Sequence, residues 1–129
     1  MIKKKARQSK YNNSKVVIND ISFDSYMESR YYLYLVELQK CGVVTDIQLQ
    51  VPFVLQDAFT DECGKKHQAI TYVADFVVNY ADNRKEIVDV KGKVTQTFRN
   101  KRKMFIARYK QDIKCVQRKK KEWIELKFR

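Results

Sequence analysis

Apolar residues change their spacing several times along this chain, and each change marks an element. Met27, Tyr31, Tyr34, Leu35 and Leu38 recur at helical spacing. Ser25 stands before them with Glu28 three residues on, the spacing of a capping box. Gly42 is placed to stop the helix in a left-handed conformation, so a helix is predicted over 25–41. Ahead of it, Val16–Ile18 and Ile21–Phe23 flank Asn19-Asp20 as a short hairpin or turn. Behind it the pattern turns to strands. Ile47 to Leu55 is apolar and β-prone, and Pro52 points to an edge position or a bulge. Asp57 to Lys66 is polar, contains Gly64, and reads as a loop or hairpin turn. Ile70 to Tyr80 is apolar on both faces and should be a central strand. A turn over 81–84 leads to a strand from Glu86 to Lys91, ended by Gly92. Thr95 to Tyr109 reads as a basic helix with Phe98, Met104 or Phe105, and Arg108-Tyr109 around its buried side. Ile113 to Gln117 and Glu122 to Phe128 are two last strands, joined by Arg118 to Lys121, and Trp123 is read as core of the second. Helix, three strands, helix, strands predicts an α/β (α+β) fold: a mixed sheet flanked by helices.

At 129 residues this is one domain's worth of chain, with residues 1–15 read as a basic flexible arm and 16–129 as a single domain. No apolar run is long enough to span a membrane, and the basic N-terminus is not followed by the apolar stretch of a secretory signal. Cys41, Cys63 and Cys115 are odd in number and far apart, which suits a reducing cytoplasm better than a disulfide framework or a zinc site. The formal charge is +12, unevenly spread. Residues 1–15 carry 6 basic and no acidic side chains, 16–90 carry 6 basic and 12 acidic, and 91–129 carry 15 basic and 3 acidic. An acidic middle between basic ends points to nucleic acid as partner. No helix pairs a wide apolar face with this charge, so a membrane surface is not the expected partner.

The acidic middle contains the candidate chemistry. Asp75 interrupts the apolar run Tyr72 to Val78, where a carboxylate needs a reason. A plain ion pair or a wet strand end is the simplest one. The next strand offers another. Side chains alternate along Glu86 to Lys91, so Asp89 and Lys91 share a face. An antiparallel pairing across residues 81–85 brings Asp75 and Asp89 together. Two carboxylates that close call for a proton or a cation between them, and a hard divalent ion satisfies them.

Asp75 followed by Asp89-Val90-Lys91, with Glu28 upstream on a helix, resembles the PD-(D/E)XK nuclease superfamily. Phe23-Asp24-Ser25 leading to Glu28, Leu49 to Phe53, Ile70 to Phe76 and Val88 to Gly92 are similar to small phage-encoded endonucleases of the Holliday-junction-resolvase type, over roughly residues 10–117. Ala74 stands where the superfamily name has Pro, at a position that carries no ligand. The resemblance implies a restriction-endonuclease-like core and metal-dependent hydrolysis of phosphodiester bonds in branched DNA. It implies Mg2+, with Mn2+ as substitute, held by Asp75, Asp89 and the Val90 carbonyl. Lys91 would stand at the scissile phosphate, and Glu28 would hold a second ion or a metal-bound water. It also implies a homodimer at work in a bacterial host cytoplasm.

Each role has a plainer rival. Glu28 fits a capping box without any catalysis. Gln50 lies on a strand beside the proposed site and either orients phosphate or is ordinary strand surface. Lys93, Arg99, Lys101, Arg102 and Lys103 follow the proposed catalytic lysine and are expected DNA contacts, or else a solvated helix face. Lys3, Lys4, Lys5 and Arg7 on the arm are expected to follow a groove or backbone. His67 is read as a surface residue, and Tyr11, Tyr31 and Tyr32 as packing before base stacking. Two other functions fit the same residues: a phage nuclease on another DNA substrate, by nicking, flap or duplex cleavage, and a non-catalytic basic DNA-binding protein.

Overall fold

A computed structural model describes residues 15–128. The arm lysines and Arg7, like Tyr11, lie outside the described residues. The described chain falls into two units, one ending at Val44 and the other beginning at Thr45.

In the first unit β1 (Val16–Ile18) and β2 (Ile21–Phe23) pair antiparallel, Val16 opposite Phe23. Their link is the two residues Asn19 and Asp20, both at positive φ (52° and 67°). That is the geometry in which a two-residue hairpin matches strand twist, and Asn and Asp tolerate it. Helix α1 (Tyr26–Lys40) follows, and the Ser25 hydroxyl accepts the Glu28 backbone N–H at 3.1 Å. Its C-terminus closes as the sequence predicts. Gly42, at φ 81°, donates to Gln39 O, and Val43 donates to Leu38 O, which satisfies two end carbonyls in a Schellman motif. Tyr31 and Leu35 are buried, and Tyr32 packs on Phe23 at 5.2 Å. Tyr34 departs from the expected apolar face: it is 42% exposed, its ring leaning on Tyr31 at 5.4 Å.

The second unit is built on a mixed sheet in the order β3–β6–β7–β8–β9. Strand β3 (Val44–Gln56) takes the edge, as Pro52 requires, and Gln50 two residues before it turns to φ 50°. The expected loop is a small hairpin, β4 (Phe59–Thr60) against β5 (Lys66–His67). There the Asp61 carboxylate accepts from Cys63 N–H, Lys65 N–H and the His67 ring, and His67 stacks on Phe59 at 4.7 Å. Strand β6 (Ile70–Tyr80) is central and pairs antiparallel with β7 (Lys85–Val90). Helix α2 (Gln96–Tyr109) crosses over so that β7 and β8 (Ile113–Lys119) run parallel. Strand β9 (Glu122–Leu126) returns antiparallel along the other edge, with Trp123 half-buried beneath the Arg118 guanidinium at 5.3 Å.

The core that supports the site lies under α2. Phe98 and Phe105 are buried from the helix, among Leu55, Tyr72, Ala74, Val77, Ile87, Ile113 and Cys115 from the sheet. Tyr109 is less covered than predicted at 38% exposure, but its hydroxyl donates to Val54 O at 2.8 Å. Arg108 is exposed and reaches Asp57 at 3.4 Å.

One local conflict stands out at the β8–β9 turn. Lys119 pairs with Glu122, so the turn is Lys120-Lys121 alone, at φ 47° and 69°. Non-glycine side chains in this region cost about 1–2 kcal/mol each. Asn-Gly is the pair such turns prefer. The double replacement Lys120→Asn/Lys121→Gly is expected to stabilise the protein by about 1–2 kcal/mol, visible as a higher midpoint in urea. An unchanged or lower midpoint means that the lysines make contacts worth more than the strain.

Candidate active site

Strand β6 changes phase where it meets the proposed chemistry. Strict alternation puts Tyr72 and Ala74 on the face opposite Val77. Yet all three belong to one core cluster with Ile87. The change falls at Asp75 and Phe76, and one residue is taken up there as in a β-bulge, a device common beside active sites. The β6–β7 ladder stops at the same place. Its last paired residues are Phe76 and Val88, one step short of Asp75 and Asp89. Beyond them Val90 N–H donates to Asp75 Oδ2 at 2.8 Å. A side-chain acceptor stands where the ladder would supply a backbone carbonyl. N–H and C=O of one residue leave a strand on the same edge, so the Val90 carbonyl is directed toward β6 as well. Lys91 N–H points the other way, to Val116 O at 2.9 Å.

Asp89 is only 5% exposed. Its Oδ2 accepts the Tyr72 hydroxyl at 2.6 Å, and its Oδ1 lies 3.3 Å from Lys91 Nζ. Lys91 Nζ also stands 4.3 Å from the centre of the Phe98 ring. The lysine therefore has a carboxylate on one side and an aromatic face on the other, and its side chain is 24% exposed. The Tyr72 phenol is pushed well above its ordinary pKa, first by burial and then by the charges of Asp89 and Asp75. Both carboxylates thus act on one hydroxyl. Cys115, opposite Asp89 in the β7–β8 register, has its thiol raised to about 12 by burial and then by Asp89.

The structure therefore brings Asp75, in the middle of β6, together with Asp89, Val90 and Lys91 at the end of β7, just where the β6–β7 pairing stops. Glu28 belongs to the first unit, on the first turn of α1, with its backbone N–H on the cap. Gln50 is exposed on edge strand β3 beside β6. Lys93, Arg99 and Lys103 are exposed. Two expected DNA contacts are occupied within the fold. Lys101 Nζ donates to Thr71 O at 3.0 Å, and Arg102 makes a two-pronged bond to Asp112 at 2.8 and 2.7 Å. Tyr72 is a site residue that sequence reasoning missed. Its signal was a phenol in an apolar strand, since a buried Tyr hydroxyl needs a partner.

The donor set suits a small hard cation. Magnesium takes one or two carboxylates and completes its shell with water and substrate phosphate. Asp75 and Asp89 match that need: Asp75 accepts from Val90 N–H, and Asp89 accepts the Tyr72 hydroxyl on one oxygen and has Lys91 beside the other. No group of three or more His, Cys, Asp or Glu side chains converges among the described residues. Residues 8–123 match the family model described as a protein of unknown function, DUF1064. The chain belongs to the DUF1064 family. Searches among curated proteins and among solved structures found no match. In this DUF1064 chain Asp75, Asp89 and Lys91 gather where the β6–β7 pairing stops. No helix among its described residues is long and apolar enough to cross a membrane.

Proposed function

We propose that the chain is a divalent-metal-dependent endodeoxyribonuclease that hydrolyses phosphodiester bonds in branched DNA as a homodimer. The observation that carries this reading is the arrangement of Asp75, Asp89 and Lys91. Two carboxylates and one half-buried ammonium meet where the pairing of two strands stops, in a chain whose last 39 residues are strongly basic. A pure binder of phosphate has no use for two carboxylates there, since each repels the backbone it would face.

Asp75, Asp89 and the Val90 carbonyl would hold Mg2+. When bound, the ion supplies a hydroxide-like nucleophile near neutral pH and neutralises phosphate oxygens. Lys91, kept near Asp89 and Phe98, would meet the scissile phosphate and offset the charge that grows on it. Tyr72 keeps one oxygen of Asp89 occupied, which fixes the direction of the other. Branched DNA as substrate, the dimer and the phage setting rest on the superfamily resemblance of the motifs, and a dimer suits a junction with two related strands to cut.

The test is cleavage of a synthetic four-way junction and a matched linear duplex, with magnesium and with chelator. Paired metal-dependent cuts in the junction alone are expected. Cuts in both substrates keep the nuclease and discard the junction preference. Tight binding without cleavage under magnesium or manganese sinks the catalytic reading.

A further inference from the structure

The outer side of α2 carries a groove of about 470 Å³ that the proposed chemistry does not use. Arg99, Arg102 and Lys103 line it with Gln96, Asn100 and Phe128, and no carboxylate is part of its wall. Phe128 anchors it. The Arg102 guanidinium lies 4.3 Å from the centre of that ring and the Arg99 guanidinium 5.4 Å. Arg102 is held by Asp112, whereas no carboxylate lies within 4 Å of Arg99 or Lys103 among the described residues. Gln96 and Asn100 bond to each other at 3.0 Å, so the rim is polar without being acidic. The surface therefore offers two cations without a carboxylate partner among the described residues, beside an aromatic ring with guanidinium groups over it.

We propose that this groove binds a short single-stranded stretch of DNA, with phosphates on Arg99 and Lys103 and an unpaired base stacked against the Phe128–Arg102 platform. Its volume of about 470 Å³ is room for one or two nucleotides. Cations interleaved with stacking surfaces are the chemistry that single strands use, because every base has a π-face. Its position adds to the argument and rests on the nuclease reading. Phe98 touches both the site and the groove: its ring centre lies 4.3 Å from Lys91 Nζ and 6.3 Å from the ring centre of Phe128. A strand with its scissile phosphate at Lys91 reaches the groove within about two or three nucleotides. The groove would then hold the strand that leaves a branch point unpaired.

Binding is measured by fluorescence anisotropy in EDTA, so that no cleavage enters. The probes are a labelled oligo-dT of about twelve nucleotides and a blunt duplex. Phe128→Leu, which keeps apolar cover over Phe98, is expected to weaken oligo-dT binding about tenfold with less than a twofold change on duplex. Arg99→Ala/Lys103→Ala, on exposed positions, should weaken it by a similar factor and flatten its salt dependence. Both variants are checked for wild-type melting. Absence of oligo-dT binding by the wild type overturns the proposal. So does wild-type affinity in the charge variant or in a folded Phe128→Leu. The nuclease reading fails separately, through loss of metal-dependent cleavage in a protein that still binds oligo-dT through this groove.

Discussion

Asp89→Asn is expected to lose about a thousandfold in metal-dependent cleavage while melting a few degrees higher than the wild type in the absence of metal. The two halves of this result have one cause. Asparagine keeps an oxygen for the Tyr72 hydroxyl, which donates to Asp89 at 2.6 Å, and nearly the same shape. It removes a charge that is only 5% exposed and shares its surroundings with Asp75. Relief of that burial and repulsion raises stability, as is common when a functional group is neutralised. Lys91 loses its partner at 3.3 Å, but its side chain reaches solvent. A cation held as proposed would lose one of its two carboxylates, and stabilisation of several kcal/mol at the phosphate would go with it. Magnesium should raise the melting temperature of the wild type and leave that of the variant unmoved. A variant that melts well below the wild type with or without metal would identify Asp89 as a structural ion-pair partner and remove the main support for the catalytic reading.

Tyr72→Phe is expected to act on the same carboxylate from the other side. The buried Asp89 loses the Tyr72 hydroxyl that donates to it at 2.6 Å, and folding stability should fall by about 1–3 kcal/mol. Cleavage should fall about 10–100-fold, and saturating metal should recover part of it, because an outer partner of a ligand tunes affinity more than chemistry. A pH series adds an independent readout. The Tyr72 phenol is raised by burial and by Asp89, so the folded protein keeps it protonated where the unfolded chain ionises. The stability linked to it is fully present below the unfolded pKa of about 10 and is lost as pH rises beyond that. Cys115, raised from 9.0 to about 12, behaves the same way from pH 9 upward. Urea midpoints of the wild type should therefore fall more steeply above pH 10 than those of Tyr72→Phe. Parallel curves would show that the phenol is not the group whose ionisation opens the fold.

What could be read in the residues and what could not divide along physical lines. Asp75, Asp89 and Lys91 were legible because strand alternation and the length of one turn are local rules, and the antiparallel β6–β7 pair follows both. The ends of α1 were legible for the same reason, since Ser25 and Gly42 act within a turn of their own positions. Pro52 marked an edge because a missing N–H cannot serve an inner strand. The phase change at Asp75 was not legible: no glycine or proline marks it, and it exists only in how Tyr72, Ala74 and Val77 share one core. Nor could the basic run after Lys91 be sorted in advance. Arg102 and Lys101 are engaged by Asp112 and the Thr71 carbonyl, partners supplied by the tertiary fold, while Arg99 and Lys103 stay open to solvent. The link between the last two strands was legible, but its length was not: Arg118 and Lys119 pair with Trp123 and Glu122, which leaves Lys120-Lys121 as the turn although neither is a usual turn residue.

The cysteines give the protein a built-in clock for its own opening. Cys41 and Cys63 are exposed, whereas Cys115 is fully covered and lies opposite Asp89 on the neighbouring strand. A thiol held near pKa 12 is almost entirely protonated at neutral pH and does not attack an alkylating reagent. Two sulfurs should therefore be labelled within moments and the third only when β7 and β8 part. The rate of that third addition, followed by mass spectrometry, counts how often the strand that carries Asp89 comes loose, and binding of a cation there should slow the count.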